Sequence, residues 1–370
     1  MSSRKNTCIG QAPEECNCLS GAFFMGGETM GRKTTKKHGI YIGLCLLMTG
    51  LPQARASVHD GAILDCNGCH SMQAPDSSSR CLACHAHEYR VLSENGDAYT
   101  PGGDFFWLGQ NYLTGDYMSM GDMHGHNVIA AVQDLTQDGL QAEAPGIGGP
   151  SYQATWLACT SCHDPHLSRS GPGPGYRLLG GEGYDGGSKA EGFAFVNPAP
   201  VVKPSLSTFG DWVPESDTNH PVYISGMSEW CSNCHSGYLS DKNLSHPAGP
   251  MARLDDLYKT YRQSVEKIDS GTGRPAVYDF LVPIEWGEGS SGDAPDGPGP
   301  NANVMCLTCH RAHASAFQAI GRWDLKIKTG LADSPVLETP EGIHAYYGLS
   351  ITSRYGERKK TLCVLCHPQD

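Results

Sequence analysis

The chain has 370 residues and a formal net charge of −12, because 39 acidic residues oppose 27 lysines and arginines. This acidic balance argues against nucleic acid or an anionic membrane surface as a partner. Only 39% of the residues are apolar, whereas glycine and proline number 46 and 24, so the composition excludes an ordinary enzyme core rich in regular structure.

The first 56 residues are typical of a targeting sequence. A basic stretch over residues 32–37 precedes a short apolar run over residues 40–51, and residues 54–56 (ARA) match a small-residue cleavage site. The apolar run is too short to span a bilayer.

We therefore expect a signal peptide over 30–56, preceded by a gene-model extension over 1–29. The mature protein would then be one exported domain over 57–370 without a transmembrane segment. The alternative is a lipoprotein anchored at Cys45, although residues 42–44 (IGL) match a lipobox poorly.

Cysteine spacing is the strongest signal after this leader. Six copies of C-x-x-C-H contain the cysteines Cys66, Cys69, Cys81, Cys84, Cys159, Cys162, Cys231, Cys234, Cys306, Cys309, Cys363 and Cys366. The histidines that complete these motifs are His70, His85, His163, His235, His310 and His367. In c-type cytochromes this motif attaches haem through both thiols, and its histidine reaches the iron. The sequence thus predicts six haem c groups with these histidines as proximal ligands.

Two other uses of cysteine explain the pattern less well. A structural zinc site needs four ligands but does not require a histidine directly after every cysteine pair. A disulfide framework also leaves the six histidines without a role.

The predicted fold class is a multihaem cytochrome c that is loop-rich, with low regular secondary structure and short helices. Six large apolar macrocycles make up much of the core, and the chain wraps around a row of six closely packed haems. The first two motifs are separated by so few residues that their haems must lie close together.

Few segments between the motifs have a clear period. The glycine- and proline-rich segments 139–151, 171–188 and 287–303 predict loops. Apolar residues at helical spacing predict a helix over 251–267. A second helix is predicted over 306–323, continuing from the fifth motif.

Enough histidines remain to give every iron a second axial ligand. The nine further histidines of 57–370 are His59, His87, His124, His126, His166, His220, His246, His313 and His344. Bis-histidine haem is closed and suits electron transfer, whereas a catalytic haem usually keeps one position vacant.

Local spacing separates some of these candidates. His166 and His313 each follow a motif histidine by three residues, so each is expected to reach a neighbouring haem. His124 and His126 flank Gly125, and only one of them is expected to bind iron. Methionine is the competing distal ligand, but with histidines in excess we interpret Met118, Met120 and Met123 as packing residues.

Segments between the motifs carry a family resemblance. They are residues 101–105 (PGGDF), 125–127 (GHN), 162–166 (CHDPH), 226–231 (GMSEWC), 246–249 (HPAG), 309–315 (CHRAHAS) and 346–348 (YYG). In these segments the chain resembles the extracellular cytochrome filament family, which consists of hexahaem outer-surface c-type cytochromes that polymerise into conductive filaments.

The resemblance implies six bis-histidine haems in a continuous row of parallel and T-shaped pairs. It implies as candidate distal ligands His59, His87, His126, His166, His246 and His313. The second-choice ligands are His124, His220 and His344. In the family, a second histidine three residues after the first motif histidine ligates a haem of the next subunit. This chain has Gln73 at that position, which leaves three alternatives. His220 or His344 supplies the distal ligand of that haem, the subunit junction differs, or no filament forms.

Three functions follow from these observations. The leading hypothesis is an extracellular electron conduit, as a homopolymeric filament subunit or a carrier, with other multihaem cytochromes and extracellular electron acceptors as partners. The second is a monomeric periplasmic or extracellular shuttle. The third is a multihaem reductase, which requires one open haem with acid–base groups nearby.

Overall fold

Short helical turns joined by loops make up most of the described chain in this computed structural model. The described residues are 66–87, 91–96, 101–114, 117–146, 152–167, 175–187, 192–204, 215–240, 247–267, 278–287, 298–299, 301–325, 346, 349, 351–355 and 362–367. All of them belong to one unit, Arg55–Asp370. The expected leader over 30–56 and the extension over 1–29 lie outside the described residues.

No described α-helix exceeds nine residues. The α-helices are α1 Cys66–His70, α2 Ser77–His85, α3 Met227–Cys231, α4 Ser236–Ser240, α5 Leu257–Val265, α6 Cys306–Cys309 and α7 Ile351–Tyr355. The 3₁₀ turns are Phe105–Gly109, Gly121–Met123, Ala131–Gln133, Ala154–Trp156, Cys159–Ser161, Tyr176–Leu178, Gly249–Met251, Gln318–Ile320 and Leu362–Leu365. Within the described residues, no helix has the length and apolar character needed to cross a membrane.

The described β-strands form two antiparallel pairs. Strand β1 (Tyr112–Thr114) pairs with β2 (Tyr117–Ser119), and β3 (Val201–Lys203) pairs with β4 (Val222–Ser225) through a bulge after Val201. The predicted loop-rich fold with short helices is therefore confirmed.

The main hydrophobic cluster gathers distant segments of the chain. It contains Trp107 from the 3₁₀ turn before β1, Tyr261 from α5, Ile284 and Trp323. Because these residues come from all parts of the described sequence, the cluster fixes the positions of the loops that carry the motifs.

The predicted helix over 251–267 is present in a shorter form. Helix α5 begins only at Leu257, because the 3₁₀ turn Gly249–Met251 and a left-handed Asp255 (φ 40°) interrupt the segment before it. Tyr261 and Val265, on its predicted apolar face, are 0% exposed.

The predicted helix over 306–323 is wrong. Helix α6 ends at Cys309, and His310 has extended backbone angles (φ −115°, ψ 158°). Residues after it form bridges with distant segments, including Ala314 with Gly103 and with Gly125. These tertiary hydrogen bonds replace the helical ones.

The three predicted loops are described only in part. Residues 139–146 and 175–187 are irregular apart from the single 3₁₀ turn Tyr176–Leu178. Most of 287–303 lies outside the described residues.

Candidate haem-binding sites

The last four motifs share one helical turn closed at its histidine. In each, the backbone N–H of the motif histidine donates to the backbone carbonyl of the first cysteine of the same motif. The distances are 3.0 Å for His163, 3.1 Å for His235, 3.0 Å for His310 and 2.8 Å for His367. Because residues three and four apart share one face of a helix, the turn presents both thiols and the imidazole on one side.

A backbone carbonyl orients each of three motif imidazoles. Nδ1 of His163 lies 2.7 Å from the Arg177 oxygen, and Nδ1 of His310 lies 2.7 Å from the Ala319 oxygen. His235 makes the same contact with Pro145 at 2.7 Å. A proton held at Nδ1 leaves the lone pair on Nε2, the arrangement typical of metal-binding histidines.

Two of these acceptors lie in strained turns. Arg177 and Ala319 have φ values of 50° and 54°, and each is followed by another residue at positive φ. Left-handed backbone costs free energy in residues other than glycine, so the two turns are constrained by their tertiary contacts.

Three motif histidines face a second imidazole. The ring centroids of His70 and His166 are 6.1 Å apart, with ring planes 3° from parallel. Those of His163 and His313 are 6.2 Å apart, at 55°. Those of His126 and His235 are 6.0 Å apart, at 41°.

These spacings fit an iron between the rings. Two imidazoles on opposite sides of a metal ion, each bound through nitrogen at about 2 Å, have centroids about 6 Å apart. Direct ring stacking requires closer contact. In two pairs, His163–His313 and His126–His235, both members have Nδ1 on a backbone carbonyl, which leaves Nε2 for the metal.

The electrostatics of the distal rings also suit metal binding. Burial, then the imidazoles of His235 and His310, lowers the pKa of His126 to about 4. Burial, then the His163 imidazole, lowers the pKa of His313 to about 3. Both rings are therefore neutral at pH 7 and keep the lone pair that a metal needs.

Three segments hold His126 and His313 together, and we call residues 101–105, 124–127 and 312–315 the ligand cradle. The His126 N–H donates to the His313 carbonyl (2.9 Å), and Nδ1 of His126 lies 2.7 Å from the Ala312 oxygen. The His313 N–H donates to the Gly102 carbonyl (2.6 Å). The cradle thus fixes the relative positions of two distal ligands that face different motifs.

Glycines let the three segments of the cradle approach closely. A Cβ on Gly125 would lie 2.6 Å from both the Ala314 Cβ and the His313 oxygen. A Cβ on Gly103 would lie 1.9 Å from the Ala314 oxygen, and Gly103 has φ of 91°. Gly125 is therefore required for space, and Gly103 for both space and conformation.

His124 has a structural role although it lies two residues from His126. Its Nδ1 lies 2.9 Å from the Trp107 oxygen, and its Nε2 lies 2.7 Å from Ser119 Oγ. Both ring nitrogens of His124 are engaged within the protein, whereas only Nδ1 of His126 is. That only one of the two histidines binds iron stays a prediction.

The other candidate distal ligands are less well placed. His220 has Nδ1 3.0 Å from the Pro221 oxygen, and its ring stacks on Tyr278 at 3.9 Å. His87 is exposed at φ of 57°. Neither ring pairs with another histidine among the described residues. His59, His246 and His344 lie outside those residues.

Met118 and Met123 are 55% and 37% exposed, so the interpretation of these methionines as packing residues is wrong for both. Met118 follows the first residue of β2, and Met123 ends the 3₁₀ turn Gly121–Met123. Both lie on the surface, whereas Ser119 and Gly121 beside them are buried.

Motifs also contact each other in two matching pairs. The Cys81 and Cys159 thiols are within hydrogen-bonding distance, as are those of Cys231 and Cys306. In both pairs a serine three residues before the first cysteine accepts from the partner motif. Cys159 N–H donates to Ser78 Oγ and Cys306 N–H to Ser228 Oγ, each at 3.1 Å.

Sequence reasoning missed several of these supporting residues. A weak signal exists for the serines, since Ser78 and Ser228 have the same spacing to the following cysteine. Ser161 and Thr308 also share a position inside their motifs, and each hydroxyl accepts a backbone N–H just before its motif (2.9 and 3.0 Å). No sequence signal identifies the carbonyl acceptors.

The alternatives to haem gain no support from the geometry. The cysteines whose side chains are described are all free thiols. Within the described part of the chain, no three His, Cys, Asp or Glu side chains converge as a zinc site requires.

Comparisons with known proteins identify a protein that is similar in both sequence and fold. No family model matches the chain. The C-type cytochrome OmcS of Geobacter sulfurreducens is 29% identical, over 91% of this chain and 100% of OmcS. The structure of the outer membrane cytochrome S filament from the same organism has a TM-score of 0.67 at 28% identity, covering 84% of this chain and 100% of that one. A structure of OmcS nanowires from Geobacter sulfurreducens has a TM-score of 0.66, with the same identity and coverage. The chain is thus similar to OmcS in sequence and fold, which confirms the resemblance drawn from the sequence.

Proposed function

We propose that this OmcS-like, multihaem c-type cytochrome is an extracellular electron conduit and a subunit of a homopolymeric filament. The observation that carries the proposal is the set of three imidazole pairs at 6.0–6.2 Å, each joining a motif histidine to a second histidine. We assign one haem iron to each pair: His70 with His166, His163 with His313, and His235 with His126.

Bound haem supplies one-electron exchange at iron, and two imidazole ligands suit it to transfer rather than to substrate binding. The chain's own residues hold the rings in place through backbone carbonyls and keep the sites close together. Spacing and orientation are the protein's main contribution to electron transfer between cofactors.

Contacts between motifs support a continuous row of sites. The second and third motifs touch through Cys81 and Cys159, and the fourth and fifth touch through Cys231 and Cys306. The cradle joins the third site to the fourth through His313 and His126. The sixth motif lies beside the fifth in space, since the Cys366 thiol is within electrostatic range of the Cys309 thiol.

The filament is supported by the likeness to two filament structures that this chain matches along their full length. Gln73 stands where the family resemblance implies a histidine, and it is exposed. The ring of His310, in the fifth motif, faces no other histidine among the described residues, so the haem of that motif lacks a second ligand from this part of the chain. We infer that the subunit junction of this protein differs at this haem from the family pattern.

Spectroscopy of the holo-protein tests the proposal against its alternatives. We expect low-spin ferric signals for the three assigned haems, oxidation of all haems by an extracellular acceptor such as ferric oxide, and no turnover of nitrite or hydroxylamine. A high-spin haem with turnover of such a substrate would favour a reductase. Native particles of monomer mass on gel filtration would favour the shuttle.

A further inference from the structure

One residue, Gly180, connects the third motif to the fourth. Its N–H donates to the Cys162 carbonyl (2.9 Å), and its carbonyl accepts a hydrogen bond from the indole Nε1–H of Trp230 (2.8 Å). Trp230 directly precedes Cys231, the first cysteine of the fourth motif. Two consecutive hydrogen bonds therefore link the two motifs through the backbone of Gly180.

The first of these hydrogen bonds recurs at the fifth motif. There the Arg322 N–H donates to the carbonyl of Cys309 (2.8 Å), which is the second cysteine of its motif, as Cys162 is of the third. A backbone bond to this carbonyl thus belongs to the turn that carries a motif. The indole bond of Trp230 is different, because it joins one motif to the next.

Aromatic rings fill the space between the third and fourth motifs. The Tyr184 hydroxyl lies 2.5 Å from the Thr160 carbonyl and 3.0 Å from the His163 carbonyl, which anchors its ring to the third motif. The Phe195 ring makes edge contacts with Tyr184 (5.5 Å) and with Trp230 (6.0 Å). We call Tyr184, Phe195 and Trp230 the aromatic bridge.

The fourth motif anchors the other end of the aromatic bridge. Asn233, between its two cysteines, accepts at Oδ1 the N–H groups of Val196 and Asn197, both at 2.9 Å. These two residues directly follow Phe195. Because buried polar groups keep their hydrogen bonds, the segment that carries Phe195 is fixed to the fourth motif.

The ligand cradle fixes the same two haem sites on their distal side. Its His313 faces His163 of the third motif, and its His126 faces His235 of the fourth. Each of the two haems would thus be held by the aromatic bridge through its motif and by the cradle through its distal ligand. Spacing and orientation of this kind are what a protein contributes to electron transfer between cofactors.

We propose that Trp230 is a positioning residue for electron transfer, and that its bond to the Gly180 carbonyl fixes the distance and mutual orientation of the third and fourth haems. The inference rests on the proposed haems at these two motifs. Loss of the indole N–H removes this donor from Gly180, which is buried. The third motif then shifts relative to the fourth, and the coupling between their haems changes.

Soret circular dichroism of the intact holo-protein tests this role. Coupling between neighbouring haems gives a bisignate signal, whose amplitude depends on their distance and angle. In Trp230→Phe, which keeps an aromatic ring but removes the N–H, we expect part of this amplitude to be lost while the low-spin ferric signals are retained.

Trp286→Phe is the matched control. The Trp286 Nε1 is buried without an acceptor among the described residues, so the same substitution there breaks no hydrogen bond of the described chain. This variant should keep the wild-type amplitude.

Three outcomes overturn the proposal. An unchanged amplitude in Trp230→Phe, even with a loss of stability, would make Trp230 a purely structural residue. Equal losses in Trp230→Phe and Trp286→Phe would show that the effect is not specific to the bond with Gly180. A lost low-spin signal would mean that an iron ligand has moved, rather than the spacing of two intact haems.

A second variant keeps the proposal testable if Trp230→Phe does not fold. Tyr184→Phe removes the hydroxyl that anchors the aromatic bridge to the third motif, and it should also lose amplitude. An unchanged signal in this variant contradicts the proposal. Mass spectrometry of the peptides containing Cys162 and Cys234 separates these failures from an absence of haem at either motif.

Discussion

At the scale of single residues, the role of a histidine depends on what its two ring nitrogens contact. His124 and His126 both direct Nδ1 to a backbone carbonyl. Nε2 of His124 meets Ser119 Oγ, whereas the ring of His126 faces His235. The same residue type therefore stabilises the fold at one position and is assigned to iron at the other.

His126→Ala should leave the haem of His235 without its distal ligand. We expect one haem to change from low-spin to high-spin or water-ligated ferric iron, measured by electron paramagnetic resonance. His124→Gln is the matched control, which should keep every low-spin signal while losing about 1–3 kcal/mol of stability through buried hydrogen-bond partners. Unchanged spin states in His126→Ala would contradict the assignment.

The sequence predicts the covalent chemistry but not the pairing of ligands. Cysteine spacing identifies the proximal histidines because attachment is local. Nothing near Gly125 distinguishes His124 from His126, since the acceptor that orients His126 is Ala312, 186 residues away. The left-handed Arg177 and Ala319 also have no local signature.

At the scale of elements, the segment after the fifth motif shows why a helix prediction failed. In a helix, His310 and His313 would share one face. The extended backbone turns them apart, and His313 faces His163 of the third motif. The requirement to reach a second haem site overrides the local helical tendency.

The ligand cradle should be sensitive to one added methyl group. Gly125→Ala places Cβ 2.6 Å from Ala314 Cβ, and we expect a loss of about 1–3 kcal/mol from overpacking. Unfolding in guanidinium chloride, followed by Soret absorbance, measures this loss of stability. Gly109→Ala, where the added Cβ meets nothing within 4 Å, should change stability much less. Equal effects would contradict the close packing.

A buried ionic cluster anchors α7 to the middle of the chain. Arg354 Nη2 lies 2.5 Å from Asp217 and 2.9 Å from Asp279, and the Tyr355 hydroxyl donates to Asp279 at 2.5 Å. Two carboxylates and one guanidinium share the cluster. Burial, then the Asp279 charge, raises the pKa of Asp217.

Arg354→Gln should therefore cost about 3 kcal/mol or more, because two buried carboxylates lose their cation. The folded-state pKa of Asp217 would rise further above its unfolded value, because the Arg354 charge that opposes the rise is removed. The loss should then be largest at pH 7 and smaller near the ordinary Asp pKa of about 3.9. Arg262→Gln removes the exposed pair with Glu266 (3.0 Å) and should change stability by less than about 0.5 kcal/mol. Comparable losses in both variants, measured by denaturant unfolding at each pH, would exclude this role.

At the scale of the whole molecule, contacts between motifs run from one end of the described chain to the other. His70 meets His166, the cradle links the third and fourth sites, and Cys309 lies near Cys366. Composition indicated a core made largely of cofactor, and the order of sites within it depends on contacts between distant segments. If the proposed filament forms, exposed Gln73 predicts a subunit junction that differs from the one the family resemblance implies.

Electron cryomicroscopy of the haem-loaded protein recovered from the cell surface tests the central claim most directly. We predict filaments with an iron between each of three pairs, His70 with His166, His163 with His313, and His235 with His126, in a row of haems continuous across subunits. Discrete particles, or irons bound by other histidines in these positions, would contradict the account.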